Sequence, residues 1–294
     1  MPSGVTIALL RASVGGGASA VLRGLTVGRS AARPLPLFLL AVLLFQMPDA
    51  GAPQRGPYGR GRRGFSDAPA FDPRNHRTEH REFRFTRAAY TAFWSRNWAT
   101  DYPKADRQFM VGVQRLLTHL DADGEENPVR LDDPDLNRFP FLYAVEVGRM
   151  SLTDPEVEGL RRYLQAGGFL VVDDFWGSRE WANFEEEIRR VLPGCTIVDL
   201  PPDHPVFSAF YDIKEFLQVP NVGNAMAGRT SEKDGFTAFY RGIFDDKGRL
   251  IVAINANTDL GDAWEWAEVP EYPLKYSTFA YQMGVNLIVY SMSH

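Results

Sequence analysis

Two hydrophobic periods alternate along the chain from Phe83 to His294. FRFTR (83–87), VRLDD (129–133), FPFLYAVEV (139–147), FLVVD (169–173) and CTIVDL (195–200) are short apolar or alternating runs that read as strands. FPFLYAVEV is apolar enough to be buried on both faces, as parallel strands are. Between these runs the period lengthens. KADRQFMVGVQRLLTHL places Phe109, Val113, Leu116, Leu117 and Leu120 on one helical face, and REWANFEEEIRRVLPG carries Trp181, Phe184, Ile188 and Leu192 on one stripe. A third helix starts at Thr153-Asp154-Pro155-Glu156, which combines an N-cap, an early proline and a capping glutamate, and stops at Gly167-Gly168. Strand, helix, strand, helix, strand predicts an α/β fold with a doubly wound, mostly parallel sheet.

The last third changes pattern. FTAFYRGIF and RLIVAINAN flank Asp245-Asp246-Lys247-Gly248, a hairpin signal added after the parallel strands. NTDLGDAWEWAEVPEYP reads as an aromatic and acidic loop. The closing KYSTFAYQMGVNLIVYSMSH is a helix apolar over most of its circumference, which must be buried against the sheet or a partner.

The amino-terminal part follows neither period. Arg29 and Arg33 precede the uncharged run PLPLFLLAVLLFQM, and Ala50-Gly51-Ala52 supplies small residues at a cleavage position, the layout of a secretory signal over residues 1–52. An uncleaved N-terminal anchor is the alternative, although the run is shorter than the roughly 20 residues of a membrane span. Residues 53–82 are rich in Pro, Gly and Arg and read as a flexible basic linker, in which His76 and His80 lack the further rigid ligands a metal site needs. A single domain is expected over 83–294, exported and either periplasmic or membrane-attached.

Of 294 residues, 45% are hydrophobic and 13% aromatic, ample for a packed core. The net charge of -5 is unevenly spread: 11 basic against 5 acidic residues stand before Phe83, 21 against 32 from Phe83 onward. An acidic body lacks the clustered Lys and Arg that phosphate contacts require, so no nucleic-acid partner is expected. The lone Cys195 excludes an internal disulfide and a Cys-rich metal site. It opens a strand instead of closing one at a sharp turn, which makes it a poor nucleophile. Serine-hydrolase, P-loop and zincin motifs are absent.

Ligands of open parallel sheets bind beyond the carboxyl ends of the strands. Asp173-Asp174 end the strand FLVVD, and the segments at Asp101-Tyr102, Glu146, Asp199 to His204 and Asp259 to Trp266 are expected at the same edge. Paired carboxylates at a strand tip hold a divalent cation, work as acid and base, or accept hydrogen bonds from a polar ligand; alternatively they cap the following helix. Asp173, Asp174, His204 and Glu146 are the catalytic candidates, and Asp173 with Asp174 the metal candidates. Asp101, Tyr102, Asp173, Asp174, Trp176, His204 and Asp259 are the ligand-binding set. The aromatics Trp94, Trp98, Trp176, Trp264 and Trp266 stack on a ligand or plug the top of the core.

RNWATDYPKADRQFMVGVQRLLT, FPFLYAVEVG, LRRYLQAGGFLVVDDFWGS, LPPDHPVF, NANTDLGDAWEW and YQMGVNLIVYSMSH together resemble the bacterial family called domain of unknown function 4159, over almost the whole of 83–294. The resemblance implies a flavodoxin-like sheet similar to class I glutamine amidotransferases, in proteins usually exported or membrane-attached. The amidotransferase pattern has a Cys at a strand-to-helix elbow and a downstream His-x-Glu. Here the elbow carries Asp and no His-x-Glu follows. Two functions remain open: an exported binding or assembly domain for a small polar ligand, a cation or an envelope or membrane protein partner, and a metal- or carboxylate-dependent hydrolase-like enzyme using the Asp173-Asp174 tip.

Overall fold

The computed structural model describes residues 81–93 and 97–294. The signal, anchor and linker readings, with His76, His80 and Trp94, lie outside these residues.

The chain forms a mixed α/β structure around one seven-stranded sheet. In chain order the elements are β1 (Phe83–Ala89), α1 (Lys104–Leu116), β2 (Ala122–Arg130), β3 (Phe141–Val145), α2 (Asp154–Gln165), β4 (Phe169–Asp173), α3 (Gly177–Val191), β5 (Val198–Asp199), α4 (Val222–Met226), β6 (Phe239–Phe244), β7 (Leu250–Ala256), α5 (Leu260–Glu265) and α6 (Leu274–Ser293). The strand order is β2-β1-β3-β4-β7-β6-β5. The first five of these run parallel, with β3 and β4 in register from Phe141 opposite Phe169 to Val145 opposite Asp173. β6 is antiparallel to β7, and β5 antiparallel to β6.

Helices cover both faces. Phe85, Phe141, Tyr143 and Val171 point into one core with Phe109 of α1, Trp264 of α5 and Phe279, Met283 and Leu287 of α6. Leu142, Ala144, Leu170 and Val172 point into the other with Val157, Leu160 and Leu164 of α2 and Phe184 and Ile188 of α3. This alternation along β3 and β4 is the period of two expected for strands buried on both sides. The amino terminus of α2 is the capping box read from the sequence: Glu156 N donates to Thr153 Oγ1, and Thr153 N donates to Glu156 Oε2 at 2.8 Å. Gly167, at φ 107°, ends that helix in a conformation L side chains avoid.

Three expectations change. The hairpin is not an addition to a finished sheet, because β7 lies beside β4 and is buried along its whole length. CTIVDL contributes two residues only, at the exposed edge; Pro201-Pro202, lacking N–H donors, cannot continue the ladder. The acidic stretch after β7 contains α5, and Trp264 there stacks on Phe109 at 4.1 Å between ring centroids. Trp98 and Trp176 are likewise buried.

Candidate functional site

Positive φ in non-glycine residues is confined, among the described residues, to Asp101, Glu146, Asp174, Lys233 and Asn257. Glu146, Asp174 and Asn257 directly follow β3, β4 and β7, so three neighbouring strands each end in a left-handed residue at the carboxyl edge. Their backbones interlock: Glu146 N donates to Asp174 O at 3.1 Å and Asn257 N to Phe175 O at 2.9 Å. Such conformations cost on the order of 1–3 kcal/mol each and persist where the surroundings over-determine them.

The two adjacent aspartates have different surroundings. Asp173 ends β4 facing the α1 and α6 side, where its Oδ2 accepts from Tyr143 Oη at 2.7 Å, Leu260 N at 2.8 Å and Gly261 N at 3.2 Å. It ties β3 and β4 to the start of α5, while its Oδ1 is enclosed with no donor among the described residues. Burial pushes its carboxyl up to about 7, against those three hydrogen bonds. Asp174, one residue on, accepts from Trp176 Nε1 at 2.9 Å. One carboxylate oxygen of Asp174 lies with one each from Asp101 and Asp259, all within 4.8 Å of one another. Asp101 also belongs to a second such group with Asp262 and Glu265.

Burial, and then repulsion from neighbouring carboxylates, raises Asp101, Asp174 and Asp259 well above the ordinary carboxylate range; the foremost neighbour is Asp262 for Asp101, Glu146 for Asp174 and Asp174 for Asp259. Burial also raises Glu146, Asp262 and Glu265. Glu146 flanks the group and is partly balanced by Arg149 Nε at 3.1 Å; Arg149 and Lys233 also reach Glu180, at 3.4 and 2.5 Å. Beneath the cluster, the fully buried Arg87 donates to Asp106 and to the carbonyls of Trp98 and Thr100, fixing the segment from which Asp101 emerges. On the α3 side of the same strand tips a cavity of about 250 Å³ is lined by Phe175, Ser178, Trp181, Asp234, Phe239 and Arg241 among others.

The sequence-predicted residues thus divide. Asp101, Asp174 and Asp259 come together, with Asp173 and Glu146 adjoining. Tyr102 packs on Trp98 at 5.6 Å. Trp176 offers no stacking surface, being 2% exposed, and serves through its indole N–H. His204 lies at the opposite edge: its ring packs on Phe244 and Tyr290, which neighbour the first residues of β7 and β4. The turn in which His204 N donates to Pro201 O sends the chain back along β6, and His204 Nδ1 accepts from Val206 N at 3.2 Å. Cys195 is half-buried in a turn, and burial raises its thiol. Arg87, Tyr143, Asp106 and Asn257 were not anticipated. A hydroxyl inside the otherwise apolar FLYAV is the signal that could have found Tyr143, whereas Arg87 stands with Arg84 and Thr86 in a strand of mixed polarity and offers no such contrast.

A family model described as a domain of unknown function (DUF4159) matches residues 84–292. No curated protein matches the chain.

Proposed function

Because the chain belongs to the DUF4159 family, described only as a domain of unknown function, we propose from the site itself that it is an exported binding or assembly domain. Its ligand edge is the carboxyl side of the sheet, and its ligand is small, polar and rich in hydrogen-bond donors. The observation that carries this reading is the convergence of Asp101, Asp174 and Asp259, from three separate segments, beside the ends of β3, β4 and β7, whose following residues Glu146, Asp174 and Asn257 are held in strained backbone. The parallel strand order 2-1-3-4-7 supports it, since flavodoxin-like sheets have the corresponding order 2-1-3-4-5 and bind at that edge. Export and attachment to an envelope or membrane partner rest on Arg29, Arg33, the apolar run and Ala50-Gly51-Ala52. Among the described residues no helix is long and apolar enough to cross a membrane.

One observation favours a second reading, a carboxylate-dependent hydrolase: Asp174 occupies a left-handed turn between β4 and α3, the kind of elbow that presents a nucleophile. With His204 at the far edge, no imidazole base among the described residues accompanies it there.

The test is thermal unfolding of the full-length chain in chelator with a panel of sugars, amines, amino acids and nucleosides, and the same panel with Asp101→Asn/Asp174→Asn. Ligands that raise the melting temperature of the wild type and not of the variant support the binding reading. Shifts that survive in the variant contradict it, and turnover of ester, amide or glycoside substrates that the variant loses favours the hydrolase.

A further inference from the structure

We propose that Asp101, Asp174 and Asp259 bind one hard divalent cation at the carboxyl edge of the sheet. This rests on the reading of that edge as the ligand side and names what first occupies it.

Geometry comes first. A calcium-sized ion holds oxygens at about 2.3–2.6 Å, so two oxygens of one shell lie at most roughly 5 Å apart. The three carboxylate oxygens, within 4.8 Å of one another, meet that limit without movement. An all-oxygen donor set, with no His or Cys in the group, selects calcium, magnesium or manganese over zinc or copper.

The hydrogen bonding separates this group from its neighbour. Asp174 and Asp259 are 7% and 3% exposed, and their hydrogen bonds engage one oxygen each: Asp174 Oδ1 accepts from Trp176 Nε1 and Asp259 Oδ1 from Asp262 N at 2.8 Å. Those bonds fix the carboxylates and leave an oxygen of each for an ion. Asp101 Oδ2 is enclosed and receives no donor among the described residues. In the alternative group, Asp262 spends Oδ1 on Trp266 Nε1 and Oδ2 on Val222 N, so both its oxygens are engaged.

Space and charge agree. A Cβ on Gly261 would stand 3.0 Å from Asp101 Oδ2, 3.2 Å from Tyr143 Oη and 3.6 Å from Asp259 Oδ1. The glycine leaves the inner side of the carboxylates clear where any other residue would crowd them. Arg87, the buried guanidinium nearby, is paired with Asp106. The three carboxylates must therefore be neutralised by protons or by an ion, because uncompensated buried charge is costly. Three protein ligands fill only part of a shell of six to eight, so waters or ligand oxygens complete it.

The experiment titrates the full-length chain, stripped with chelator, with Mn²⁺ and follows free Mn²⁺ by electron paramagnetic resonance, with Ca²⁺ and Mg²⁺ as competitors. One Mn²⁺ per chain is expected. Asp101→Asn, Asp174→Asn and Asp259→Asn each weaken it at least about tenfold, while Glu158→Gln on the exposed face of α2 leaves it unchanged. Calorimetry in buffers of different ionisation enthalpy should show protons released on binding. Absence of binding, or affinity unchanged in all three variants, overturns the assignment and leaves the carboxyls protonated. Asparagine keeps the acceptors that Trp176 and Asp262 use; should one variant fail to fold by circular dichroism, the other two decide. Polar ligands that still shift melting in chelator while Mn²⁺ does not bind would sink the cation and spare the ligand edge. Bound Mn²⁺ without any polar ligand would do the reverse.

Discussion

Arg87 lies in β1 with its guanidinium shut away from solvent, doubly bonded to Asp106 of α1 and 5.2 Å from the ring centre of Tyr143. Its partner carboxylate is equally enclosed, so removing one half strands a buried charge. Arg87→Met is expected to cost about 3–5 kcal/mol in chemical denaturation, and Arg87→Met/Asp106→Leu to recover most of it. A single-variant cost below about 1 kcal/mol would mean the pair does not hold the segment before Asp101. Tyr143→Phe keeps the ring and removes the hydroxyl that donates to Asp173. Losing a hydrogen bond to a buried carboxylate should cost about 1.5–3 kcal/mol, read from the same unfolding curves. Neither residue stood out in the sequence, because Arg87 is one of three polar residues in a strand of mixed polarity and Tyr143 a single polar position in a run whose apolar neighbours dictate the element. Their importance depends on which strand lies alongside, and that is a property of the sheet order.

At the scale of elements, local signals were legible where local physics dominates. The box at Thr153 and Glu156, the stop at Gly167 and the stripe of α3 involve residues within a turn or two of each other, and the structure has each of them. Thr153→Ala should lower stability by about 1 kcal/mol, measured by urea unfolding, whereas Thr153→Ser should be close to neutral. Long-range placement was less legible. β7 reads as half of a hairpin because its turn is local, yet its other neighbour is β4, and nothing in RLIVAINAN announces that. The helix α1 ends at Leu116, earlier than its apolar stripe suggests, and Leu116 is left 40% exposed. At the tip of β4, Asp173 titrates near 7 in the folded chain against an ordinary value of 3.8. The folded state therefore keeps a proton that the unfolded chain has released across that window. Stability of the cation-free protein should fall as pH rises from about 4 to about 7, by up to about 1.4 kcal/mol per pH unit for this group alone. Asp173→Asn should flatten that slope in pH-dependent denaturation, and an unchanged slope would assign the titration elsewhere.

For the whole molecule, the question posed by two adjacent aspartates has a two-part answer. Asp173 turns inward and cross-links β3, β4 and α5, while Asp174 joins Asp101 and Asp259, which stand 73 and 85 positions away in the chain. The sequence rule that ligands meet beyond the carboxyl ends of parallel strands brought Asp101, Asp174 and Asp259 onto one edge in advance. It misplaced His204, whose path depends on how the chain turns after Pro201-Pro202. Diffraction from crystals of the full-length chain grown with Mn²⁺, collected at a wavelength where manganese scatters anomalously, tests the central claim most directly. The account predicts one anomalous peak per chain, bonded to oxygens of Asp101, Asp174 and Asp259. A featureless anomalous map at these three carboxylates, or a peak on Asp262 and Glu265 instead, would contradict it.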